Sequence, residues 1–423
     1  MLHLLENTII PAIFEVRRTF DDDGIRDVPR ATLETLDASN LASLLPDNGE
    51  IAVCVGSRGI AGLSEIVPAV IGWFKARGTR PFIVPAMGSH GGATAEGQRE
   101  ILRHLGITEE SCGCPIRSSM DTARIGVLDN GLPVYMDVNA LAANGIFVIN
   151  RVKPHTSFSG THESGIVKML AIGLGKQKGA DSCHALGYGA FNTIMPAMAT
   201  VIFTMANVLG GLAIVENAYD KPCLVEAVSR ENFIARDASL QAYAKKRLPS
   251  LPVNDLDVLL VHRMGKEIAG TGMDSAITGR ASTRHKEVSI AVSRVGALRL
   301  TPASEGNAAG VGMADVIPKK LFDSINFNAM YANAITAATL KGAFCPVIMP
   351  HDRAVLQCLI KTCNTQRQIP RLAYLRDTLT LDRFWVTQPL AEELSREKSC
   401  TVASRPEAFI FDQAGSLTGP EWA

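Results

Sequence analysis

Residues 50–106 read EIAVCVGSRGIAGLSEIVPAVIGWFKARGTRPFIVPAMGSHGGATAEGQREILRHLG, and this stretch decides the fold class. Ile51-Ala52-Val53-Cys54-Val55 is a continuous apolar run, which is typical of a buried parallel strand. A helix follows, and Ser64 is suited to cap its start. Pro81-Phe82-Ile83-Val84 predicts a second strand, and Thr94–Gly106 predicts a second helix. Two strand–helix units in succession indicate an α/β fold with an open, mostly parallel sheet.

The length of the chain and its later segments predict two such domains. A chain of 423 residues exceeds what one hydrophobic core usually organises. Gly145–Ile149 and Asp257–Val261 are further apolar runs that predict buried strands. The segment 246–255 carries two prolines among polar residues and is typical of a linker. We therefore expect domains at 1–248 and 255–423, with the active site in the cleft between them.

Composition excludes several classes of partner. Lys+Arg and Asp+Glu both number 42, so the formal net charge is zero, and neither nucleic acid nor an anionic membrane is an expected partner. The N-terminus does not show the pattern of a secretory signal, and the apolar runs are shorter than the ~20 residues of a membrane span. The nine cysteines are scattered, which favours reduced thiols and a cytoplasmic location.

Each predicted strand ends in a loop that carries glycine or reactive side chains. Arg58 follows the first strand, His90 the second, His155 the third, and Lys266 the late strand. In open α/β sheets, ligands bind outside the carboxyl ends of the strands. The four loops together therefore predict a site.

The segment 153–189 is the densest in reactive side chains. It contains His155, His162, Lys168, Lys176, Lys178 and His184, together with glycines that include Gly173 and Gly175. Glycines allow a backbone to approach a ligand closely, and lysines beside them favour a phosphate. The spacing matches neither a P-loop nor a dinucleotide fingerprint. A phosphate-binding loop and a flexible glycine-rich connection therefore both remain open.

The order of these motifs resembles a known family. Arg58, Gly-Ser-His90, Lys-Pro-His155, Ser-Gly-Ile-Val-Lys168 and His184-Ala occur in that order, with sixteen residues from Lys168 to His184. This pattern is similar to the N-terminal domain of the nickel-pincer-nucleotide-dependent lactate racemases, part of a wider group of 2-hydroxyacid racemases and epimerases. The resemblance covers roughly residues 50–189 well and the rest loosely.

The resemblance implies an activity and a cofactor. Such an enzyme racemises or epimerises a 2-hydroxy acid by reversible hydride transfer to a nickel-pincer nucleotide, a pyridinium bisthiocarboxylate mononucleotide, through a keto-acid intermediate. It implies that Lys168 is the covalent tether and His184 a nickel ligand. It also implies that His90 and His155 are the two general bases and that Arg58 binds the substrate carboxylate. Gly173, Gly175, Lys176 and Lys178 are the further expected cofactor-binding residues.

Two departures from the family pattern bear on the substrate. The gap from His155 to Lys168 is three residues longer than the family leads us to expect. The late loop lacks the Tyr-Gln and downstream Lys that lactate racemases present there. We therefore expect a branch distinct from lactate racemase itself, with Lys266, Asp274 and Arg280 in contact with a larger or more polar substrate. A merely solvated role for these three residues stays open.

Alternatives remain at the level of function and of single residues. The histidines could instead serve a metal-dependent hydrolase or lyase without a tethered cofactor, or the chain could be a catalytically degenerate nucleotide-binding protein. His162 could replace either neighbouring histidine, and Lys168 could simply open a buried helix. The expected partners are a small 2-hydroxy acid and the proteins that make and insert the cofactor. Chain produced without those proteins would be apo.

Overall fold

The computed structural model describes residues 2–57 and 59–422, so the predicted site residue Arg58 lies outside the described residues. The chain forms two compact units. The first unit consists of residues 21–155 and 159–248, and the second of residues 2–20, 156–158 and 249–422. Each unit contains its own sheet flanked by helices, so the predicted α/β class is confirmed.

The strands are numbered in chain order. They are β1 (Ile13–Arg18), β2 (Glu50–Val55), β3 (Arg80–Pro85), β4 (Thr122–Val127), β5 (Pro133–Asp137), β6 (Gly145–Arg151), β7 (Val208–Glu216), β8 (Pro222–Ser229), β9 (Asp255–Met264), β10 (Ala291–Leu300), β11 (Val316–Pro318), β12 (Val347–Met349), β13 (Leu372–Leu375), β14 (Arg383–Thr387), β15 (Cys400–Val402), β16 (Ile410–Phe411) and β17 (Leu417–Gly419).

The helices are numbered in the same way. They are α1 (Val28–Ala38), α2 (Leu63–Lys75), α3 (Ala95–His104), α4 (Glu109–Cys112), α5 (Val138–Ala142), α6 (Ile166–Lys168), α7 (Lys176–Ala185), α8 (Phe191–Met205), α9 (Phe233–Arg247), α10 (Ser275–Thr278), α11 (Lys319–Asp323), α12 (Phe327–Thr336), α13 (Asp352–Thr362) and α14 (Gln388–Leu394). A π-helical turn over Met169–Gly173 follows α6.

The sheet of the first unit has the order β3-β2-β6-β7-β8. β3, β2, β6 and β7 run parallel, and β8 is antiparallel to β7. Every residue of β7 is buried, as expected for a strand covered on both faces. The carboxyl ends of the parallel strands consequently share one edge of the sheet.

The starts of α2 and α3 differ in how they are capped. The second predicted helix, over Thr94–Gly106, is α3, and Thr94 caps it: its side chain accepts a hydrogen bond from the backbone N–H of Gly97 at 3.0 Å. The prediction for Ser64 is wrong, because α2 begins at Leu63. Gly62 stands at the N-cap with a φ of 73°, and its carbonyl accepts from the N–H groups of Glu65 and Ile66. A left-handed glycine therefore starts this helix.

The sheet of the second unit has the order β12-β11-β10-β9-β13-β14-β1-β15. The five strands from β12 to β13 run parallel, and the remaining neighbours pair antiparallel. β1 lies inside this sheet, with Ile13 opposite Thr387 of β14 and Val16 opposite Val402 of β15. The sequence prediction, which placed residues 1–248 in one domain, did not assign β1 here.

Both units are built around apolar cores. Within the described part of the chain, no single helix has the length and apolar character needed to cross a membrane. The two successive helices at 176–185 and 188–205, bent by 94°, would pass such a test only as a pair, by length and composition alone.

Candidate functional site

The loops that follow β3, β2 and β6 lie side by side at the carboxyl edge of the first unit's sheet. Strand β2 is hydrogen-bonded to both β3 and β6. Neighbouring strands are about 4.8 Å apart, so the ends of β3 and β6 are separated by roughly 10 Å. The loop after β3 carries His90, whose Nδ1 is hydrogen-bonded to the hydroxyl of Ser57 in the loop after β2. His155 lies in the loop after β6.

Tyr188 brings two of the predicted histidines together. Its ring centroid is 5.7 Å from that of His155 and 5.5 Å from that of His184. Phe191 packs against the same group, 5.1 Å from His184 and 5.0 Å from Tyr188. Sequence reasoning missed both aromatic residues. No helical spacing could have indicated them, because the helix of His184 ends at Ala185 and the chain bends before Tyr188.

Lys168 and His184 lie on successive helical segments. Lys168 ends α6, the π-helical turn follows, and His184 lies in the last turn of α7. Burial lowers the pKa of His184 below its ordinary value, and the nearby positive charge of Lys168 lowers it further. The imidazole is therefore held neutral, which is the form that binds a metal. The Lys168 ammonium contacts the backbone carbonyl of Glu163 at 3.5 Å.

Lys176 occupies a different environment from the one predicted. It is fully buried and lies 3.4 Å from a carboxylate oxygen of Asp137. Its ammonium also donates to the side chain of Gln98 at 2.9 Å and to the carbonyl of Pro85. These partners take up the ammonium inside the unit, so the arrangement gives no support to a phosphate-binding role. Lys178, on the same helix, is exposed.

Gly173 and Gly175 are explained by close packing. A Cβ atom at Gly173 would lie 2.7 Å from the carbonyl oxygen of Ala86, and one at Gly175 would lie 2.7 Å from the Cα of Gly179. Both distances are too short for a side chain. The two glycines therefore allow the π-helical turn and α7 to approach their neighbours, whether or not a ligand binds there.

The three residues predicted to contact substrate in the second unit have partners within it. The Lys266 ammonium donates to the carbonyl of Gly270 at 2.7 Å and to the side chain of Asn333 at 2.6 Å. Asp274 caps α10 by accepting from the N–H of Ala276 at 2.8 Å. A separate ion pair holds Arg280, 3.0 Å from Asp315. Substrate contact by these residues stays a prediction.

His162 is bound to a buried carboxylate. Its Nδ1 lies 2.8 Å from Asp237, and only 6% of its side chain is exposed. Among residues 2–57 and 59–422, no group of three or more His, Cys, Asp or Glu side chains is arranged to hold a metal ion. Tyr188 thus contacts His155 and His184, Lys168 is close enough to His184 to lower its pKa, and His90 lies on the neighbouring loop.

This geometry defines an α/β protein that carries a cluster of histidine and lysine side chains, a candidate site, at the carboxyl edge of a parallel sheet. No protein-family model and no curated protein matches the chain. A protein from Thermotoga maritima, solved by a structural genomics consortium, is similar with 13% identity, covering 66% of this chain and 72% of its own, at a TM-score of 0.46.

The lactate racemase apoprotein from Thermoanaerobacterium thermosaccharolyticum is also similar. Its identity is 13%, with coverage of 88% of this chain and 99% of its own, at a TM-score of 0.49. Both TM-scores are low, so the fold assignment rests on the strand order and directions of the two sheets.

Proposed function

We propose that the chain is a racemase or epimerase of a small 2-hydroxy acid that works with a nickel-pincer nucleotide tethered to Lys168. The observation that carries this proposal is the contact of Tyr188 with both His155 and His184, with Lys168 close enough for its charge to act on His184. The motif order in the sequence supports it independently. The substrate carboxylate would be bound by Arg58, which lies outside the described residues.

The residues present suit the proposed cofactor. Lys168 offers a partly buried amine, and His184 offers a neutral imidazole, which is an acceptable ligand for nickel. With few protein ligands at hand, most of the metal's coordination would come from the organic group. When bound, the cofactor would supply the acceptor for the substrate hydride. The protein contributes binding, orientation and proton transfer.

Two histidines on separate loops suit the proton transfers. A racemase needs a base for the hydroxyl of either enantiomer, and imidazole titrates near working pH. His90 is oriented by Ser57; in the tautomer whose Nδ1 donates to that hydroxyl, Nε2 carries the lone pair. His155 is placed through its own backbone N–H, which donates to Glu163 at 2.7 Å.

Mass spectrometry of the intact chain tests the proposal directly. Chain co-expressed with cofactor-biosynthesis enzymes should carry an adduct of several hundred daltons, roughly the mass of a mononucleotide. Lys168→Ala should abolish the adduct, and His184→Ala should lose nickel while keeping the organic part. Lys246→Ala, at an exposed lysine of the same unit with no predicted role in binding, is the matched control and should keep both. Peptide mapping of the adduct to Lys176 or Lys178 would contradict the assignment, and bound metal without any adduct would favour a metal-dependent hydrolase or lyase.

The two proposed bases can be separated from the cofactor site by activity. His90→Ala and His155→Ala should each keep the adduct and lose racemisation by ~10²–10⁴-fold, the usual loss for a general acid–base group. Chiral chromatography of lactate, malate, 2-hydroxyglutarate and sugar acids would measure this. Near-normal turnover in both variants would assign proton transfer to other groups.

A further inference from the structure

One face of α9 carries polar side chains where the helix packs on the loop before Lys168. Asp237, Gln241 and Lys245 recur every four residues, so they lie on the same face of the helix. Asp237 and Gln241 are fully buried. Buried polar groups of this kind need partners, and here the partners lie in residues 155–168.

Asp237 binds the start of the helix that carries Lys168. One carboxylate oxygen accepts from the backbone N–H groups of Ile166 at 2.8 Å and Val167 at 3.3 Å. The other oxygen is hydrogen-bonded to His162 Nδ1 at 2.8 Å. Gly165 stands beside this carboxylate with a φ of 97°, and a Cβ there would lie only 2.3 Å from it.

Lys245 binds the other part of the same loop through a second buried carboxylate. Its ammonium lies 2.6 Å from Glu163 and donates to the carbonyl of Gly160 at 2.9 Å. Glu163 is fully buried and accepts from the backbone N–H groups of His155 at 2.7 Å and Gly160 at 2.8 Å. Gln241 adds a weaker contact, accepting from the N–H of Ser164 at 3.3 Å.

We infer that α9 is the positioning element of the site: Asp237 sets the place of Lys168, and Lys245 with Glu163 sets the place of His155. This inference rests on the proposed function, which assigns the roles of Lys168 and His155, and adds how those two residues are held in place. In this arrangement His162 acts as a positioning residue through its hydrogen bond to Asp237.

The test uses full-length protein without cofactor, so it does not depend on activity. Asp237→Asn keeps the shape of the side chain but removes its charge. Acetic anhydride acylates lysine amines, and mass spectrometry of the peptides gives the rate at each one. The rate at Lys168 would be compared with that at exposed Lys178 in the same molecule, at a series of pH values. We expect the ratio of labelling rates and its pH dependence to change, and hydrogen exchange at residues 159–168 to quicken about tenfold, as for loss of a charge-assisted hydrogen bond.

Ser239→Ala, on the same helix but exposed, is the matched control and should leave both measurements unchanged. Lys245→Met tests the second part of the inference, the placing of His155 through Glu163. Because the Lys245 side chain is 41% exposed, this variant keeps the experiment decisive even where Asp237→Asn fails to fold. It should quicken exchange at 155–163 about tenfold.

In loaded enzyme, both α9 variants should lower kcat by roughly 10- to 100-fold and leave KM nearly unchanged, as for misplaced reacting groups. Lower melting temperature with unaltered Lys168-to-Lys178 labelling and exchange would overturn the inference and leave α9 a purely structural support. If instead the proposed function is wrong, the α9 variants would still show the expected changes in labelling and exchange, but neither the wild type nor any variant would carry the adduct.

Discussion

His262 lies near the end of β9, and its neighbours fix its protonation state. Its Nδ1 is 2.9 Å from the Tyr374 hydroxyl, and Trp422 Nε1 donates to that same hydroxyl at 3.0 Å. The hydroxyl hydrogen of Tyr374 is therefore left to donate to His262, which can accept it only as a neutral imidazole. Burial, followed by the charge of Arg299, lowers the pKa of His262 to about 4.

This lowered pKa predicts an acid-sensitive second unit. Above the ordinary pKa of an unfolded histidine, both states are neutral and the full stability is present. As pH falls from about 6.5 toward 4, His262 binds a proton in the unfolded chain but not in the folded unit. This difference lowers the free energy of unfolding by up to ~3 kcal/mol. His262→Gln should lose clearly less stability between pH 7 and pH 4.5 than the wild type. Urea unfolding followed by the fluorescence of Trp385 and Trp422 would measure it.

His104→Gln, at an exposed position of the first unit, is the control and should behave like the wild type. Equal acid sensitivity in His262→Gln and the wild type would show that this histidine is not the group that titrates.

At the scale of elements, a buried network holds the loop that carries His90. Gln98 of α3 donates to the carbonyls of Gly88 at 2.9 Å and His90 at 3.3 Å, and accepts from Lys176 of α7. Lys176 in turn faces Asp137, which caps α5 by accepting from the N–H of Ala140. Three helices and the end of β5 thus meet at one ammonium group.

This network predicts a large effect of a substitution far from solvent. Lys176→Met leaves Asp137 buried without its counter-charge, which should lower the free energy of unfolding by ~3–5 kcal/mol. The double variant Lys176→Met/Asp137→Asn removes both charges and should recover part of that loss. Chemical denaturation of the single and double variants measures the coupling. The coupling would be contradicted if the double variant lost as much free energy of unfolding as the two single variants together, or more.

Some of this could be predicted from local sequence and some could not. His90 and His155 follow continuous apolar runs, and the rule that ligands bind at strand ends needs only those runs. Lys176 sits among glycines, a pattern that favours a phosphate, but its burial depends on Asp137 and Gln98, dozens of residues away. Asp237 was missed for the same reason, because its partners lie some seventy residues earlier in the chain.

At the scale of the whole molecule, β1 ties the beginning of the chain to its end. Ile13 and Val16 are fully buried in the second unit's sheet, between β14 and β15. The prolines and polar residues of segment 246–255 predict a single domain boundary in the chain. No local pattern in residues 13–18 indicates partners that begin at Arg383, so the interior place of β1 could not be predicted from sequence.

The position of β1 predicts how fragments behave. Residues 249–423 alone would leave β14 and β15 without the strand between them, and we expect this fragment to aggregate through the open edges. Co-expression with residues 2–20 should restore solubility, whereas residues 21–248 should be soluble alone. Solubility and circular dichroism of the three preparations give the answer. Cooperative unfolding of the isolated 249–423 fragment would show that β1 is dispensable.

The position of β1 also determines when the second unit's sheet can be completed during synthesis on the ribosome. β1 is synthesised before its two neighbours in the sheet, which follow roughly 365 residues later, and this interval takes ~20–70 s at ~5–20 residues per second. Residues 21–248 emerge during that interval, whereas β14 and β15, the two strands that pair with β1, follow only at its end. The order of synthesis therefore completes the first unit before β1 can join its own sheet.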